Sequence, residues 1–267
     1  MLDQALAELE TRQPDFYAVT YGAGGSPPAG TLELVSHLQQ TLGRPAVHHY
    51  TCVGNTYLQI AAAMEAMRHA GVRNILATRG DPPRGEPDYR RRPNEPQSGC
   101  ELVKFIREFR GWFCVGVAGF PEGCLPDRTL QHEIDSLLLK QAAGAEYVVT
   151  QAFFDNADYD RYRNRLWAAG VTIPVIPGIL PIPEYDRWVN FCAVCGVTIP
   201  ADVQKLFEPF RRDPEAMRRR AVEFGVRQCQ DLLDQGAPGL HFFCLNRASP
   251  AVDIARNLRG TIQRAAA

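Results

Sequence analysis

The sequence predicts an α/β protein, a parallel (β/α)8 barrel of the TIM type whose first strand is absent from this chain. Strand-like apolar runs alternate with helix-like runs along the 267 residues, as a parallel sheet with helical crossovers requires. The length suits one barrel of about 250 residues. Most apolar runs end in polar or aromatic residues, and such strand ends collect at the ligand-binding face of a barrel.

Helical patterns and strand-like runs can be followed in chain order. The helices are predicted near 2–12, 30–42, 55–70, 98–110, 128–143, 157–169, 184–195, 214–235 and 250–258. The strands are predicted near 16–21, 46–52, 74–79, 114–120, 147–153, 174–180 and 240–246. The less regular region 196–213 is expected to form short helical turns. Because no linker or low-complexity tract interrupts the pattern, residues 1–267 are interpreted as one domain.

The strand count is seven, and the chain opens on a helix, whereas a (β/α)8 barrel opens on a strand. Either the first strand is missing from this sequence or the barrel is open there, and we favour the former. The rival fold is a doubly wound nucleotide-binding sheet. Its glycine fingerprint is nearly matched by Gly22–Pro27, but Pro27 occupies the place of the third glycine.

Charge and composition exclude several classes of protein. The formal net charge is −1 and the calculated pI about 6.6, so no global field favours nucleic acid or a membrane surface. The basic runs Arg90–Arg92 and Arg218–Arg220 are interpreted as solvated faces, with a phosphate contact as the alternative. The sequence shows no signal-peptide pattern and no apolar run of 18 residues, which predicts a cytoplasmic protein.

The eight cysteines are scattered, several of them inside apolar runs, which suits reduced core thiols. Cys192 and Cys195 form a CxxC motif, but no second pair completes a zinc site, so no metal is expected.

Seven motifs at the strand ends together resemble the methylenetetrahydrofolate reductase family over essentially the whole chain. They are Val19–Ala23, His49–Cys52, Arg79–Pro83, Phe120–Glu122, Thr150–Asp155, Ile176–Pro181 and Leu245–Arg247. The resemblance implies a (β/α)8 barrel that holds FAD at its C-terminal face. It further implies a cytosolic, commonly oligomeric enzyme of one-carbon metabolism. In its reaction NAD(P)H reduces the flavin, and the flavin reduces 5,10-methylenetetrahydrofolate to 5-methyltetrahydrofolate.

The resemblance assigns a catalytic role to Asp81, which would lie beside the flavin ring and stabilise the cationic iminium formed when the folate ring opens. A turn or helix-capping aspartate is the alternative. Cofactor contacts are implied for a larger group of residues, Asp81 among them. The others are Thr20, His49, Arg79, Gly80, Ala118, Phe120, Glu133 and Lys140.

Several of these residues also have plainer interpretations. Without the family resemblance, His49 would be interpreted as a core histidine. His48 is expected on the opposite face, because neighbouring strand residues alternate faces. Glu133 and Lys140 lie seven residues apart on one helix face and could be two exposed charges. On the substrate side, the resemblance implies contacts from Gln151, Phe191 and Arg247, although Phe191 could equally be helix core.

Four departures from the family pattern bear on this interpretation. Cys124, Arg187 and Ser98 stand where histidine, glutamine and tyrosine are common. The glutamate-bearing first strand, whose acid protonates the folate N10, has no counterpart here. A flavin-binding subunit without folate turnover is therefore the second hypothesis. A barrel lyase with Lys140 as nucleophile is the third, and the choice between NADH and NADPH stays open.

Overall fold

In the computed structural model, residues 2–21, 30–82, 85–86, 88–109, 111–123 and 129–259 are described. They form seven strands in one parallel sheet whose spatial order follows the chain. The strands are β1 (Tyr17–Val19), β2 (Ala46–Thr51), β3 (Asn74–Thr78), β4 (Cys114–Gly119), β5 (Tyr147–Ala152), β6 (Val175–Ile179) and β7 (His241–Phe242). This order confirms the predicted barrel architecture with one strand lacking.

Ten helices connect and surround the strands in the described part of the chain. They are α1 (Leu2–Glu10), α2 (Thr31–Leu42), α3 (Tyr57–His69), α4 (Gly99–Arg107), α5 (Leu130–Ala142), α6 (Asn156–Ala168), α7 (Tyr185–Cys195), α8 (Ala201–Phe207), α9 (Pro214–Asp234) and α10 (Ser249–Asn257). Side-chain caps fix several helix starts, among them Thr56 at α3, with a full capping box, and Ser98 at α4. The predicted irregular region forms α8 and a 3-10 turn, as expected.

The sheet is curled, and its two edges approach each other. The ring of Phe16, just before β1, stacks on that of His241 in β7 with centroids 6.0 Å apart. Within the described residues, β1 pairs only with β2 and β7 only with β6. An open slot therefore separates β1 from β7, where an eighth strand would close the barrel.

Strand alternation divides the apolar side chains between two layers. In β2, Ala46 and Tyr50 pack outward into the main core beneath the helices, whereas Val47 points into the barrel with Leu76 and Val149. A separate cluster holds α7 in place: Trp188 is fully buried, and its ring meets the ring of Phe154 at 5.3 Å and that of Phe207 at the same distance. This packing fixes α7 near the C-terminal ends of the strands.

The last strand is shorter than the predicted run 240–246. Leu245 and Asn246 adopt left-handed φ values of 48° and 59°, and the amide of Arg247 donates to the carbonyl of Cys244 at 2.8 Å. A tight turn therefore ends the strand early. The predicted near-fingerprint Gly22–Pro27 and the departure at Cys124 lie outside the described residues.

Candidate active site

A cavity of about 2510 Å³ extends from the C-terminal ends of the strands into the open slot. It brings together eleven of the twelve site residues predicted from the sequence. These are Thr20, His49, Arg79, Gly80, Asp81, Ala118, Phe120, Glu133, Lys140, Gln151 and Phe191. Because these residues come from five strands or strand ends and two helices, the chain must form the barrel before they can meet.

Asp81 lies at the turn that follows β3, exposed at the mouth of the cavity. Its neighbour Gly80 has φ +83°, and a Cβ atom there would lie 2.7 Å from Cγ1 of Val53 and 2.8 Å from Cβ of Thr51. Cys195, the last residue of α7, lines the same cavity as Asp81. Burial, and then the charge of Asp81, raise the pKa of the Cys195 thiol. The turn therefore presents Asp81 to α7 across the mouth.

The Gly80→Ala substitution is expected to destabilise the fold by about 2–4 kcal/mol, because it adds both left-handed strain and steric overlap. Gly85→Ala is a matched control, since Gly85 has φ +87° but open space around its Cβ position. The control should lose only about 1–2 kcal/mol of the free energy of unfolding. Urea denaturation of both variants measures the difference, and equal losses would contradict the steric argument.

Two buried histidines, His48 and His241, and the partly buried His49 lie in the sheet near the cavity. His49 faces the cavity, and its buried Nε2 has no hydrogen-bond partner within the described structure. His48 points to the opposite face, as predicted, with its ring near those of Tyr21 and Tyr50. Burial, and to a smaller extent the charges of His241 and His48, lower the pKa of His49 to about 3. His49 is therefore a neutral ring with one buried nitrogen that lacks a hydrogen-bond partner among the described residues.

Stability is expected to fall as the pH drops from about 6.5 to about 4. Burial lowers the pKa values of His48 and His241 to about 4, so in this range the unfolded chain binds protons that the folded chain does not. The loss between pH 7 and pH 5 is about 2 kcal/mol for each histidine. Urea unfolding of the native chain and of His48→Phe, which keeps a ring beside Tyr21 and Tyr50, checks this. An unchanged slope in the variant would contradict it.

A cationic corner forms where α4 begins. Lys140 of α5 donates from Nζ to the carbonyl of Ala118 at 3.4 Å. Its Cε lies 3.8 Å from the position a Cβ would take at Gly99, the first residue of α4. Arg91 lines the same cavity. A helix N-terminus beside an ammonium group is suited to an anion such as a phosphate.

Glu133 supports the end of β4 from beneath. It is only 4% exposed and accepts a hydrogen bond from the hydroxyl of Tyr162 at 3.2 Å, and that hydroxyl accepts from the amide of Phe120 at 3.2 Å. The alternative interpretation of Glu133 as an exposed helix charge is therefore wrong. The tertiary contact with Tyr162, which no local pattern reveals, accounts for its burial.

The residues expected on the substrate side separate into two groups. Gln151 and Phe191 line the cavity, and the amide oxygen of Gln151 is held by the backbone N–H of Ala152 at 2.9 Å. Arg247 does not line it: the guanidinium is half-exposed at the rim and lies 3.4 Å from Glu184. Its chain neighbour Asn246 does reach the cavity.

Glu122 is a cavity residue to which sequence reasoning gave no role. Its Oε2 accepts a hydrogen bond from the amide of Thr198 at 2.8 Å, which ties the end of β4 to the segment after α7. Burial raises the pKa of this carboxyl. The sequence analysis noted Glu122 only as part of the Phe120–Glu122 motif. Its hydrogen-bond partner Thr198 lies 76 residues further along the chain, so the motif alone could not predict this contact.

The described residues include neither a transmembrane helix nor a cluster of metal-binding side chains. No helix there is long and apolar enough to cross a membrane. The same residues contain no group of three or more histidine, cysteine, aspartate or glutamate side chains suited to a metal ion.

The parallel strands, and the cavity at their C-terminal ends, define a (β/α) barrel, and comparison with known proteins identifies its family. The family model for methylenetetrahydrofolate reductase matches residues 1–259, and the chain belongs to this family.

Relatives of three kinds agree with this. The chain is 36% identical over 235 residues to methylenetetrahydrofolate reductase 1 of Schizosaccharomyces pombe, covering 88% of this chain and 39% of that protein. It is 32% identical over 267 residues to methylenetetrahydrofolate reductase (NADH) 1 of Arabidopsis thaliana, covering 96% and 45%. It is 29% identical over 256 residues to the 5,10-methylenetetrahydrofolate reductase of Pectobacterium carotovorum, covering 95% and 83%. The chain thus spans less than half the length of the first two.

A solved structure shares the fold. It is a protein from Clostridium thermocellum, described as binding two copies of 5-methyl-5,6,7,8-tetrahydrofolic acid. It superposes with a TM-score of 0.62 at 12% identity, over 94% of this chain and 87% of that one.

Proposed function

We propose that this protein is an FAD-dependent oxidoreductase that reduces 5,10-methylenetetrahydrofolate to 5-methyltetrahydrofolate with NADH or NADPH. The observation that carries the proposal is the convergence of eleven predicted site residues on one cavity, in a chain that belongs to the methylenetetrahydrofolate reductase family. The volume of about 2510 Å³ exceeds the 300–1,000 Å³ or so of a typical small-molecule pocket. It leaves room for a dinucleotide together with a second ligand.

The residues present fit a flavin dinucleotide. The unpartnered Nε2 of His49 offers a hydrogen bond inside the cavity, where the ring system would lie. Gly80 allows close approach of the backbone. Lys140 and the first turn of α4 supply positive charge for a diphosphate, and the absence of a side chain at Gly99 leaves room beside the ammonium.

Bound FAD would supply the hydride-transfer chemistry, and the chain's own residues would place and stabilise the reactants. Asp81 would place its negative charge beside the cationic iminium of the opened folate. Gln151 offers both a donor and an acceptor to the edge of the pterin, with its amide orientation held by Ala152. α7 lies across the mouth and limits the access of water to the reacting atoms.

A second candidate is a flavin-binding protein that is reduced by a nicotinamide nucleotide but does not turn over folate. One observation favours it: Glu10, the last residue of the opening helix α1, is already engaged. It pairs with Arg44 at 3.2 Å and accepts from the Tyr17 hydroxyl at 2.9 Å, so it is not available as a general acid.

Spectroscopy of the purified protein separates these functions. A visible flavin spectrum, its bleaching by NADH or NADPH under anaerobic conditions, and its return on addition of methylenetetrahydrofolate would support the reductase. Bleaching without recovery would support the second candidate. A protein without flavin absorption, even after incubation with FAD, would overturn both and favour the lyase interpretation.

A further inference from the structure

The C-terminal half of α7 and the segment that follows it form one wall of the cavity mouth. Phe191 lines the cavity from the helix, and Thr198 lines it from the segment between α7 and α8. The helix ends at Gly196, whose φ is 65°, and the amide of Val197 closes the last turn by donating to the carbonyl of Cys192 at 2.9 Å. Because this turn is closed, a contact that holds Thr198 also holds the end of α7.

Apolar packing attaches this wall to one side of the barrel. Trp188 and Cys192 of α7 are buried in the same cluster as Phe154, which follows β5, and Leu180, which follows β6. This cluster is separate from the main core beneath the other helices. The packing therefore fixes α7 from the side of β5 and β6.

A hydrogen bond attaches the same wall on the side of β4. The carbonyl of Phe120 accepts from the amide of Gly123 at 3.0 Å, and this turn after β4 presents Glu122. Oε2 of Glu122 accepts from the amide of Thr198 at 2.8 Å. Because Glu122 is partly buried, water competes less for this hydrogen bond than it would at an exposed site. The two residues are 76 positions apart, so the bond fixes tertiary geometry and not a local turn.

We infer that Glu122 is a positioning residue, which holds the end of α7 at the mouth and thereby sets the position of Phe191. The inference rests on the proposed function, in which Phe191 contacts the folate. Aromatic rings attract each other only within a narrow range of distances and angles, so a shift of the helix end weakens this contact. The proposed flavin contacts His49, Gly80 and Lys140 lie on other elements, so the binding of FAD does not depend on Glu122.

Amide hydrogen exchange tests the hydrogen bond itself and needs no ligand. Glu122→Ala removes the acceptor, whereas Glu122→Gln keeps an amide oxygen at the same place. In the peptide that contains Thr198, exchange should be about tenfold faster in the alanine variant and near the original rate in the glutamine variant. An exchange rate that the alanine substitution leaves unchanged would overturn the inference.

Titration of the flavin-loaded protein with 5-methyltetrahydrofolate, followed through the flavin spectrum, tests the positioning role. Glu122→Ala should raise the Kd for this ligand about three- to tenfold, because part of the binding energy is then used to order the helix end. Glu122→Gln should restore the original Kd. The affinity of the protein for FAD, measured by reconstitution, should be the same in all variants.

Glu146→Ala is the matched control. Glu146 also accepts from a backbone amide, that of Val115 at 3.0 Å, but it lies at the opposite end of β4 and does not line the cavity. The control should lower the midpoint of urea unfolding, as Glu122→Ala does, and leave the Kd for 5-methyltetrahydrofolate unchanged. Equal weakening of folate binding in the control would indicate general destabilisation and would overturn the inference.

Two further outcomes separate this inference from the proposed function. If Glu122→Ala binds 5-methyltetrahydrofolate as tightly as the unsubstituted protein, or Glu122→Gln binds it as weakly as Glu122→Ala, the inference is overturned while the proposed function stands. If the unsubstituted protein binds neither FAD nor 5-methyltetrahydrofolate, the proposed function itself fails.

Discussion

Replacing Asp81 with asparagine is expected to lower the rate of folate reduction by about 10²- to 10³-fold, as the loss of one preorganised electrostatic group does. The side chain keeps its size, so the turn at Gly80 and the binding of FAD should persist. What disappears is the negative charge at the mouth that would stabilise the cationic iminium. Reduction of the flavin by NADH should change much less, because no folate cation forms in that half-reaction.

Anaerobic stopped-flow measurement of the two half-reactions checks this prediction. Asp88→Asn is the matched control: Asp88 follows in the same connection between β3 and α4 but does not line the cavity. It should leave both rates unchanged. Equal losses in both half-reactions of the Asp81 variant would instead indicate damage to flavin binding and would contradict the assigned role.

A strand that carries a glutamate, added ahead of α1, is expected to raise the rate of folate reduction by about 10²- to 10⁴-fold, the usual contribution of a general acid. The slot between β1 and β7 offers backbone hydrogen-bonding groups on both sides. The cavity continues along this slot, where Leu6 of α1 and Val252 of α10 line it. A parallel strand placed there would complete the barrel and bring an acid to the folate.

The same added strand with glutamine in place of the glutamate is the control. It should stabilise the fold equally but leave the folate half-reaction slow, while flavin reduction by NADH stays the same in both. If the chain without any addition already reoxidises with folate at the full rate, the prediction is wrong. The half-buried carboxyl of Glu122, with its raised pKa, would then be the first group to test as the acid.

The barrel and most of its mouth could be predicted because both depend on local patterns. Alternating apolar runs give the strand order, and the polar residues that end each run must meet at one face once the strands are parallel. Asp81, His49 and Gln151 lie at or just beyond such strand ends, and the family resemblance singled them out among the strand-end residues; the cavity contains all three.

Residues whose placement depends on distant contacts could not be predicted. Glu133 is buried because Tyr162, 29 residues further on, donates to it. Arg247 lies at the rim because a left-handed turn ends β7 after two residues. The position of α7 over the mouth depends on Trp188 packing against rings from other elements. None of these contacts leaves a periodic signal in the sequence.

The two edge strands, β1 and β7, are short, and this affects how copies of the protein behave in solution. The unpaired backbone groups of an edge strand can pair with a strand of another molecule, and a long edge strand does so more readily than a short one. Here the edge strand β1 has three residues and the edge strand β7 has two, and the helices α1 and α10 pack against each other beside them. The sheet can thus remain incomplete without seeding fibrous aggregates.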